Sequence, residues 1–186
     1  MGVSFIIGDV TTLQADAVVN VINFEMEDGG SVNHAIHAAA GTGLKEYCEM
    51  AGRCPVGGVK LTPAFNLPAR YIIHTVAPLW RDGKEQEEKW LAACYQRSLE
   101  LAVKYNCRKV AIPVFSGGYS DFPFGKALQV TYDTCRYCLT EKNMPVGYST
   151  LCVAYRLNRR TYRTKKILFP RIPSRRSCCV TWTQKE

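Results

Sequence analysis

Several kinds of sequence feature are absent from this chain of 186 residues. No apolar run approaches the roughly 18 residues that a membrane-spanning helix needs, so we expect no membrane contact. The short apolar stretch at the N-terminus has no basic flank, so we expect no signal peptide. Hydrophobic residues make up 47% of the chain and charged residues 22%, as in an ordinary globular domain. These features predict a soluble, cytoplasmic protein, with the nucleus as the alternative location.

The chain also lacks a complete metal-binding motif and the common nucleotide-binding motifs. Cys135 and Cys138 have the CxxC spacing, but no second pair completes a zinc site. Neither glycine loop reads Gly-x-Gly-x-x-Gly, and Gly125-Lys126 is followed by alanine without the upstream glycine of a P-loop. Nine cysteines, an odd number, argue against a complete disulfide framework, so we expect buried or incidental thiols. We expect neither a metal nor another cofactor.

Acidic residues are nearly absent from the end of the chain. Residues 156–186 hold ten Lys and Arg against one Glu, although the net charge of the whole chain is only +8. This basic segment has two interpretations: an arm that contacts a polyanion such as nucleic acid, or a solvated helix face with a frayed end. Pro170 and Pro173 mark the start of a loose end. We predict one domain over residues 1–169 and a basic, loosely ordered tail over residues 170–186.

Strand-like and helix-like patterns alternate along the chain. The pattern predicts helices over residues 31–52, 85–105, 124–140 and 158–166, and strands over residues 3–7, 17–21, 59–65, 71–76, 109–114 and 149–155. This alternation predicts an α/β fold, a three-layer α/β/α sandwich around a central mixed, largely parallel sheet of six strands.

The most informative stretch covers residues 17–41. A β-branched run carries Asn20 and Asn23 at its carboxyl end, and a short loop then leads into an Ala-rich helix through residues 28–31, Asp-Gly-Gly-Ser. Glycines there let the backbone approach a ligand closely, and the unpaired N–H groups of a helix start favour an anion. A simpler interpretation is a tight turn capped by the serine or the aspartate. The two asparagines and the carboxylate favour a ligand site.

A second glycine loop covers residues 113–123. It follows one predicted strand and precedes a helix, as the first loop does, and it contains Ser116-Gly-Gly-Tyr-Ser120. Two such loops can hold a diphosphate from opposite sides with backbone N–H donors.

A series of short motifs extends over about residues 5–156. They are Gly8-Asp-Val-Thr11, Asn20-Val-Ile-Asn23, Gly29-Gly-Ser-Val32, Ala35-Ile-His37, Leu61-Thr-Pro-Ala-Phe-Asn-Leu-Pro68, Tyr71-Ile-Ile-His-Thr-Val-Ala-Pro78 and Ser116-Gly-Gly118. In order and spacing they resemble the macrodomain family, the ADP-ribose-binding α/β/α modules. The resemblance implies that the partner is ADP-ribose or an ADP-ribosylated protein. The motifs of residues 61–76 resemble the branch that removes ADP-ribose from proteins or deacylates acylated ADP-ribose.

The same resemblance implies a role for each candidate binding residue. It implies that Asp9 accepts a hydrogen bond from the adenine amino group, that Val10 donates its backbone N–H to the ring, and that Tyr155 stacks on adenine. It implies that Asn23 binds the distal ribose, and that His37 and His74 are satisfied core histidines. The residues implied to hold the diphosphate are Gly29, Gly30, Ser31, Val32, Ser116, Gly117, Gly118, Tyr119 and Ser120.

Departures from the hydrolase branch leave two functions open. Asn33 stands where that branch has an aspartate, and Asp28 and Ser31 replace two of its glycines. The first function is hydrolysis of ADP-ribose from proteins or of O-acyl-ADP-ribose by substrate-assisted water attack at the distal ribose. Asn23 and Asn33 are then the catalytic candidates, with Asp28 as the fallback, and we expect Asn33→Asp to raise the rate. The second is a non-catalytic reader of ADP-ribose.

Overall fold

The computed structural model describes residues 2–116, 120–142, 144, 150–155 and 182–184. The predicted helix over residues 158–166 and most of the basic segment lie outside these residues. The described part forms seven strands and four α-helices, with a short 3₁₀ turn at Val10–Thr12. In chain order the elements are β1 (Gly2–Ile7), β2 (Ala17–Val21), α1 (Ser31–Ala40), α2 (Thr42–Ala51), β3 (Val59–Pro63), β4 (Tyr71–Thr75), α3 (Glu87–Lys104), β5 (Val110–Pro113), α4 (Phe124–Thr140), β6 (Thr150–Tyr155) and β7 (Trp182–Gln184).

The strands form one mixed sheet in the order β3-β4-β2-β5-β6-β1-β7. All neighbours are parallel except β3 and β4, which are antiparallel. The predicted fold class is confirmed, but the predicted number of six strands is wrong. The seventh strand is β7, whose Trp182 lies opposite Phe5 of β1. These three residues belong to the segment predicted to be a loose tail, and three residues are too few to show a strand pattern. The domain boundary at residue 169 stays a prediction.

Side chains of the central strands alternate between two cores, one on each face of the sheet. Val18 of β2 and Ile72 of β4 pack in a cluster with apolar residues of α1 and α2. Val19 and Ile73, the next residue of each strand, pack in a second cluster with residues of α3 and α4. Because successive residues of a strand point to opposite faces, each strand contributes to both cores. This arrangement is the predicted three-layer sandwich.

The cysteines whose side chains are described contribute to these cores. All six are buried thiols, the environment that the sequence predicted for them. Burial raises the pKa of the Cys48 and Cys138 thiols to about 11. Within the described ranges, no helix combines the length and the apolarity that crossing a bilayer would require.

The single helix predicted over residues 31–52 is two helices, separated at Gly41. This glycine has φ 91° and ψ −178°, a backbone conformation open essentially to glycine alone. Its N–H still bonds to the carbonyl of His37 and thereby ends α1. A Cβ at this position would lie 2.9 Å from Nδ2 of Asn66. The break therefore depends on both the backbone angle and the close approach of the loop between β3 and β4.

We predict that Gly41→Ala lowers the free energy of unfolding by about 1–3 kcal/mol, because alanine is strained in this conformation. Urea denaturation measures the change. Gly125→Ala is the matched control, because Gly125 is exposed in α4 and its added Cβ would meet no atom within 4 Å. Equal stability of the two variants would contradict this account of the break.

Candidate functional site

Four neighbouring strands bring the predicted site residues to one edge of the sheet. Strands β2, β5, β6 and β1 are adjacent and parallel, so their carboxyl ends share that edge. Ile7, before the Asp9 turn, lies opposite Tyr155, and Pro113, before the second loop, lies opposite Ala154. Carboxyl ends of strands are the usual ligand-binding edge of an α/β sheet. The side chain of Tyr155 is outside the described part of the structure.

Asn23 shapes the loop that follows β2. Its side-chain Oδ1 accepts a hydrogen bond of 2.8 Å from the N–H of Glu27, and its carbonyl accepts one of 3.1 Å from the N–H of Met26. Met26 has φ 61° and is buried. The Nδ2 of Asn23 lies 3.4 Å from the Glu27 carboxylate. The Asn23 side chain therefore holds a tight turn, and it remains half-buried at the edge of the site.

Asn33 holds the same loop from beneath. Its side chain is buried in the first turns of α1. The Nδ2 of Asn33 donates to the carbonyl of Glu27 at 2.8 Å, and its Oδ1 accepts from Nδ2 of Asn20 at 2.8 Å. Both ends of the amide are thus used inside the protein. The position requires a donor and an acceptor together, which an amide has and an ionised carboxylate lacks.

Asn20 connects this amide to a buried histidine. Its Nδ2 lies 3.2 Å from Nδ1 of His74, and Nε2 of His74 lies 2.9 Å from Oγ1 of Thr62. Thr62 Oγ1 donates in turn to the carbonyl of Pro63. Asn20 Nδ2 can only donate to Nδ1 of His74, and the Thr62 hydroxyl already donates to Pro63. His74 is therefore assigned the tautomer with its proton on Nε2. Burial, followed by the nearby His37, lowers the pKa of His74 to about 3, so the ring is neutral. The predicted role of His74 as a satisfied core histidine is confirmed.

His37 is buried as predicted, but its hydrogen bonding is incomplete. Its Nε2 and the Oδ1 of Asn20 are buried and have no hydrogen-bond partner among the described residues. Burial lowers the pKa of His37, and the charge of the nearby Asp28 carboxylate opposes this shift. The prediction that the ring nitrogens of His37 all have hydrogen-bond partners is therefore wrong for the described residues.

The start of α1 carries no side-chain cap within the described residues. The residue before the helix is Gly30, with φ 74°, and Ser31 begins the helix with an exposed side chain. Gly29 is exposed, and a Cβ there would meet nothing within 4 Å. Val32 is half-buried against the core beneath α1 and α2. The first N–H groups of α1 are not capped by Ser31 or Asp28, the alternative that the sequence left open.

Asp28 contacts a histidine that the sequence analysis did not single out. Its two carboxylate oxygens lie 3.1 and 3.3 Å from Nδ1 of His34. The side chain of His34 is 71% exposed and that of Asp28 is 39% exposed. His34 lies one residue after the buried Asn33, on the solvent side of α1. The only signal in the sequence was the spacing of six residues between an acid and a histidine around a glycine turn.

A buried tyrosine fixes the start of the second loop. The hydroxyl of Tyr95, in α3, accepts from the N–H of Phe115 at 2.9 Å and donates to the carbonyl of Pro113 at 3.4 Å. The two aromatic rings stack with centroids 4.6 Å apart. Burial raises the pKa of Tyr95 far above its usual range, so the hydroxyl keeps its proton. Nothing in the sequence pointed to a functional role for Tyr95, because it lies among the regularly spaced apolar residues of the helix predicted over residues 85–105.

The remaining residues of the second loop are described in part. Ser116 is half-buried, and its N–H bonds to the carbonyl of Val114 at 2.9 Å. Ser120 is buried, and its carbonyl accepts from the N–H of Trp80 at 2.9 Å. Gly117, Gly118 and Tyr119 lie outside the described residues. The two described ends of the loop are therefore held by backbone contacts.

The turn after β1 lies against α1 and β5. Asp9 caps it, since Oδ1 of Asp9 accepts from the N–H of Thr11 at 3.0 Å and from its Oγ1 at 2.7 Å. Val10 is buried in the core on the α1 side. The structure thus brings the Asp9 turn, the first loop and the described ends of the second loop to the same edge of the sheet.

Comparisons with known proteins give the same family for most of the chain. Residues 19–131 match the family model described as Macro domain. A macro domain-containing protein of Mesorhizobium japonicum is 45% identical over 138 residues, which cover 74% of this chain and 78% of the relative. The O-acetyl-ADP-ribose deacetylase of Escherichia fergusonii is 39% identical over 149 residues, which cover 78% of this chain and 84% of the relative. The Trypanosoma brucei macrodomain, solved in complex with ADP-ribose, superimposes with a TM-score of 0.73 at 32% identity, covering 86% of this chain and 65% of that one.

The buried contacts of Asn33 change the expectation for Asn33→Asp. A carboxylate there loses the donor to the Glu27 carbonyl and places a negative charge 2.8 Å from an acceptor. We predict a loss of about 1–3 kcal/mol in the free energy of unfolding at pH 7. Because burial raises the pKa of the new carboxyl, the loss diminishes as the pH falls through that pKa, where the protonated group can donate again.

Denaturation at neutral and at mildly acidic pH measures this effect. Asn106→Asp makes the same chemical change at an exposed position and serves as the control. A stability loss in Asn33→Asp that does not depend on pH, or no loss at all, would contradict the assigned hydrogen bond to Glu27.

Proposed function

This chain belongs to the macro domain family, and from that premise we propose that it binds ADP-ribose at the carboxyl ends of β1, β2, β5 and β6. The observation that supports this proposal most directly is that two strand-to-helix loops begin at the same end of the neighbouring parallel strands β2 and β5, and that the first of them leads into the uncapped start of α1. A helix start without a side-chain cap presents N–H donors and the positive end of the helix dipole. The diphosphate is the part of ADP-ribose that these donors suit.

The two ends of the ligand have separate candidate contacts. At the adenine end, the Thr11 hydrogen bonds orient the carboxylate of Asp9, which we propose accepts from the adenine amino group. Val10 and Tyr155 complete this end in the proposal. At the distal ribose, we propose that Asn23 contacts the hydroxyl groups, because its side chain is fixed in the turn after β2 yet remains half-buried.

The proposal predicts that ADP-ribose binds in the micromolar range and that Asp9→Ala weakens binding by about 1–3 kcal/mol, the effect of losing a hydrogen bond to a polar group. Isothermal titration calorimetry measures both. Asp133→Ala removes an exposed aspartate of α4 and should leave the affinity unchanged. No heat and no thermal protection of the wild-type protein by ADP-ribose would overturn the proposal.

We propose further that the bound group is hydrolysed, either from modified proteins or from O-acyl-ADP-ribose, by water attack at the distal ribose. The similarity to a relative named O-acetyl-ADP-ribose deacetylase supports this activity. In the proposal Asn23 positions the reacting ribose, and the ligand's phosphate helps to orient the water. Asn33 acts indirectly, because its amide links the first loop, through the Glu27 carbonyl, to Asn20 of β2.

A non-catalytic reader of ADP-ribose is the second candidate function. The observation that favours it is the absence of a proton-accepting side chain at position 33, where the buried residue is an amide. A single-turnover assay on a glutamate-linked ADP-ribosylated protein separates the two functions. Release of ADP-ribose identifies the hydrolase, whereas tight binding with no release identifies the reader. Contact of the basic segment with a polyanion remains a separate proposal, tested by the salt dependence of nucleic-acid binding.

A further inference from the structure

Asp28 and His34 form an acid–histidine pair across the glycine turn of the first loop. The carboxylate lies before Gly29 and Gly30, the imidazole lies in the first turn of α1, and their contact of 3.1 Å closes the turn between them. Of the three histidines in the chain, His34 is the exposed one, whereas His37 and His74 are buried. The pair therefore places an accessible imidazole beside the loop proposed to hold the distal part of ADP-ribose.

The pairing determines which ring nitrogen of a neutral His34 is basic. A carboxylate accepts hydrogen bonds, so Asp28 favours the tautomer in which Nδ1 carries the proton and donates to it. The lone pair is then on Nε2, on the far side of the ring from Asp28. A ring held in this way can take a proton from water, and the carboxylate stabilises the imidazolium that results.

No other side chain of the first loop meets these requirements as well. Asn33 is an amide whose two ends are engaged, so it cannot take a proton. Asp28 itself is committed to His34. Glu25 and Glu27, the other acidic residues of the loop, are carboxylates, which are weaker bases than an imidazole.

We infer that His34, oriented by Asp28, is the general base that activates water for the proposed hydrolysis. The inference rests on the proposed function and specifies its proton acceptor. In the step, Nε2 of His34 takes a proton from water while the water oxygen forms a bond to the anomeric carbon of the distal ribose. The bond from that carbon to the ester oxygen breaks, and its electron pair leaves with the carboxylate. A carboxylate leaving group needs no proton, so one base suffices, and the imidazolium then loses its proton to solvent.

The test compares His34→Gln and Asp28→Asn with the wild type in single-turnover hydrolysis of a glutamate-linked ADP-ribosylated protein. Losing a general base lowers the rate by about 100-fold or more, so we expect that loss in His34→Gln and a smaller one in Asp28→Asn. The affinity for free ADP-ribose, measured by calorimetry, should remain unchanged in His34→Gln. Glu100→Gln is the control, because it breaks another exposed ion pair, the 2.9 Å contact with Lys142, away from the loops.

The pH dependence of the rate distinguishes a base from a residue that only shapes the loop. Among the described residues, the charged or titratable groups shown to interact with His34 are Asp28 on the loop and His37 on α1. A base that already carries a proton cannot accept another from water, and protonation becomes more complete as the pH is lowered. The wild-type rate should therefore fall as the pH is lowered. The residual rate of His34→Gln should lack this fall, whereas Asp28→Asn should retain it.

Each result decides a separate question. Wild-type turnover at an unchanged rate in His34→Gln would overturn the role of His34 and leave hydrolysis standing. Binding of ADP-ribose with no wild-type turnover would also overturn it, and would identify the reader. No binding by the wild type would overturn the proposed function itself.

Discussion

The hydrogen bond between the side chains of Asn20 and Asn33 is the contact on which the candidate site depends. It joins the carboxyl end of β2 to the first turns of α1. The Nδ2 group of the same Asn33 amide donates to the Glu27 carbonyl in the loop. Leaving such a buried group without its partner costs about 1–3 kcal/mol, and the low local polarity makes each bond of the network matter more. These bonds therefore fasten the loop to β2 and to α1.

Two consecutive residues of α1 serve opposite purposes because a helix turns by about 100° per residue. Asn33 faces inward and holds the loop, whereas His34 faces solvent and contacts Asp28. An ionised carboxylate at position 33 could accept a proton, but it could not donate the hydrogen bond that the Glu27 carbonyl accepts. The chain thus separates the structural group from the candidate proton acceptor, and places them on neighbouring residues.

The second loop is held by a different device. Its start is bound to α3 through the buried hydroxyl of Tyr95, which satisfies backbone groups of Pro113 and Phe115 at once. Its end is bound to the segment after β4 through the bond from the Trp80 N–H to the Ser120 carbonyl. Both loops are therefore anchored by polar contacts to elements outside the loop.

Much of this fold could be predicted from the sequence because local patterns determined it. The apolar spacing of residues 124–140 predicted α4 to the residue, and the β-branched run predicted β2. The two glycine loops, and the asparagines of the first, indicated a candidate site for the same reason: strand, turn and helix signals are local. The break at Gly41 and the three-residue β7 escaped prediction, since one depends on the approach of Asn66 and the other on pairing with a strand far away in the chain. Only the tertiary structure decided that Asn33 is buried between Asn20 and Glu27, and that Asp28 contacts His34. Those partners are set by how the loop packs against β2 and α1, and residue type alone does not specify that packing.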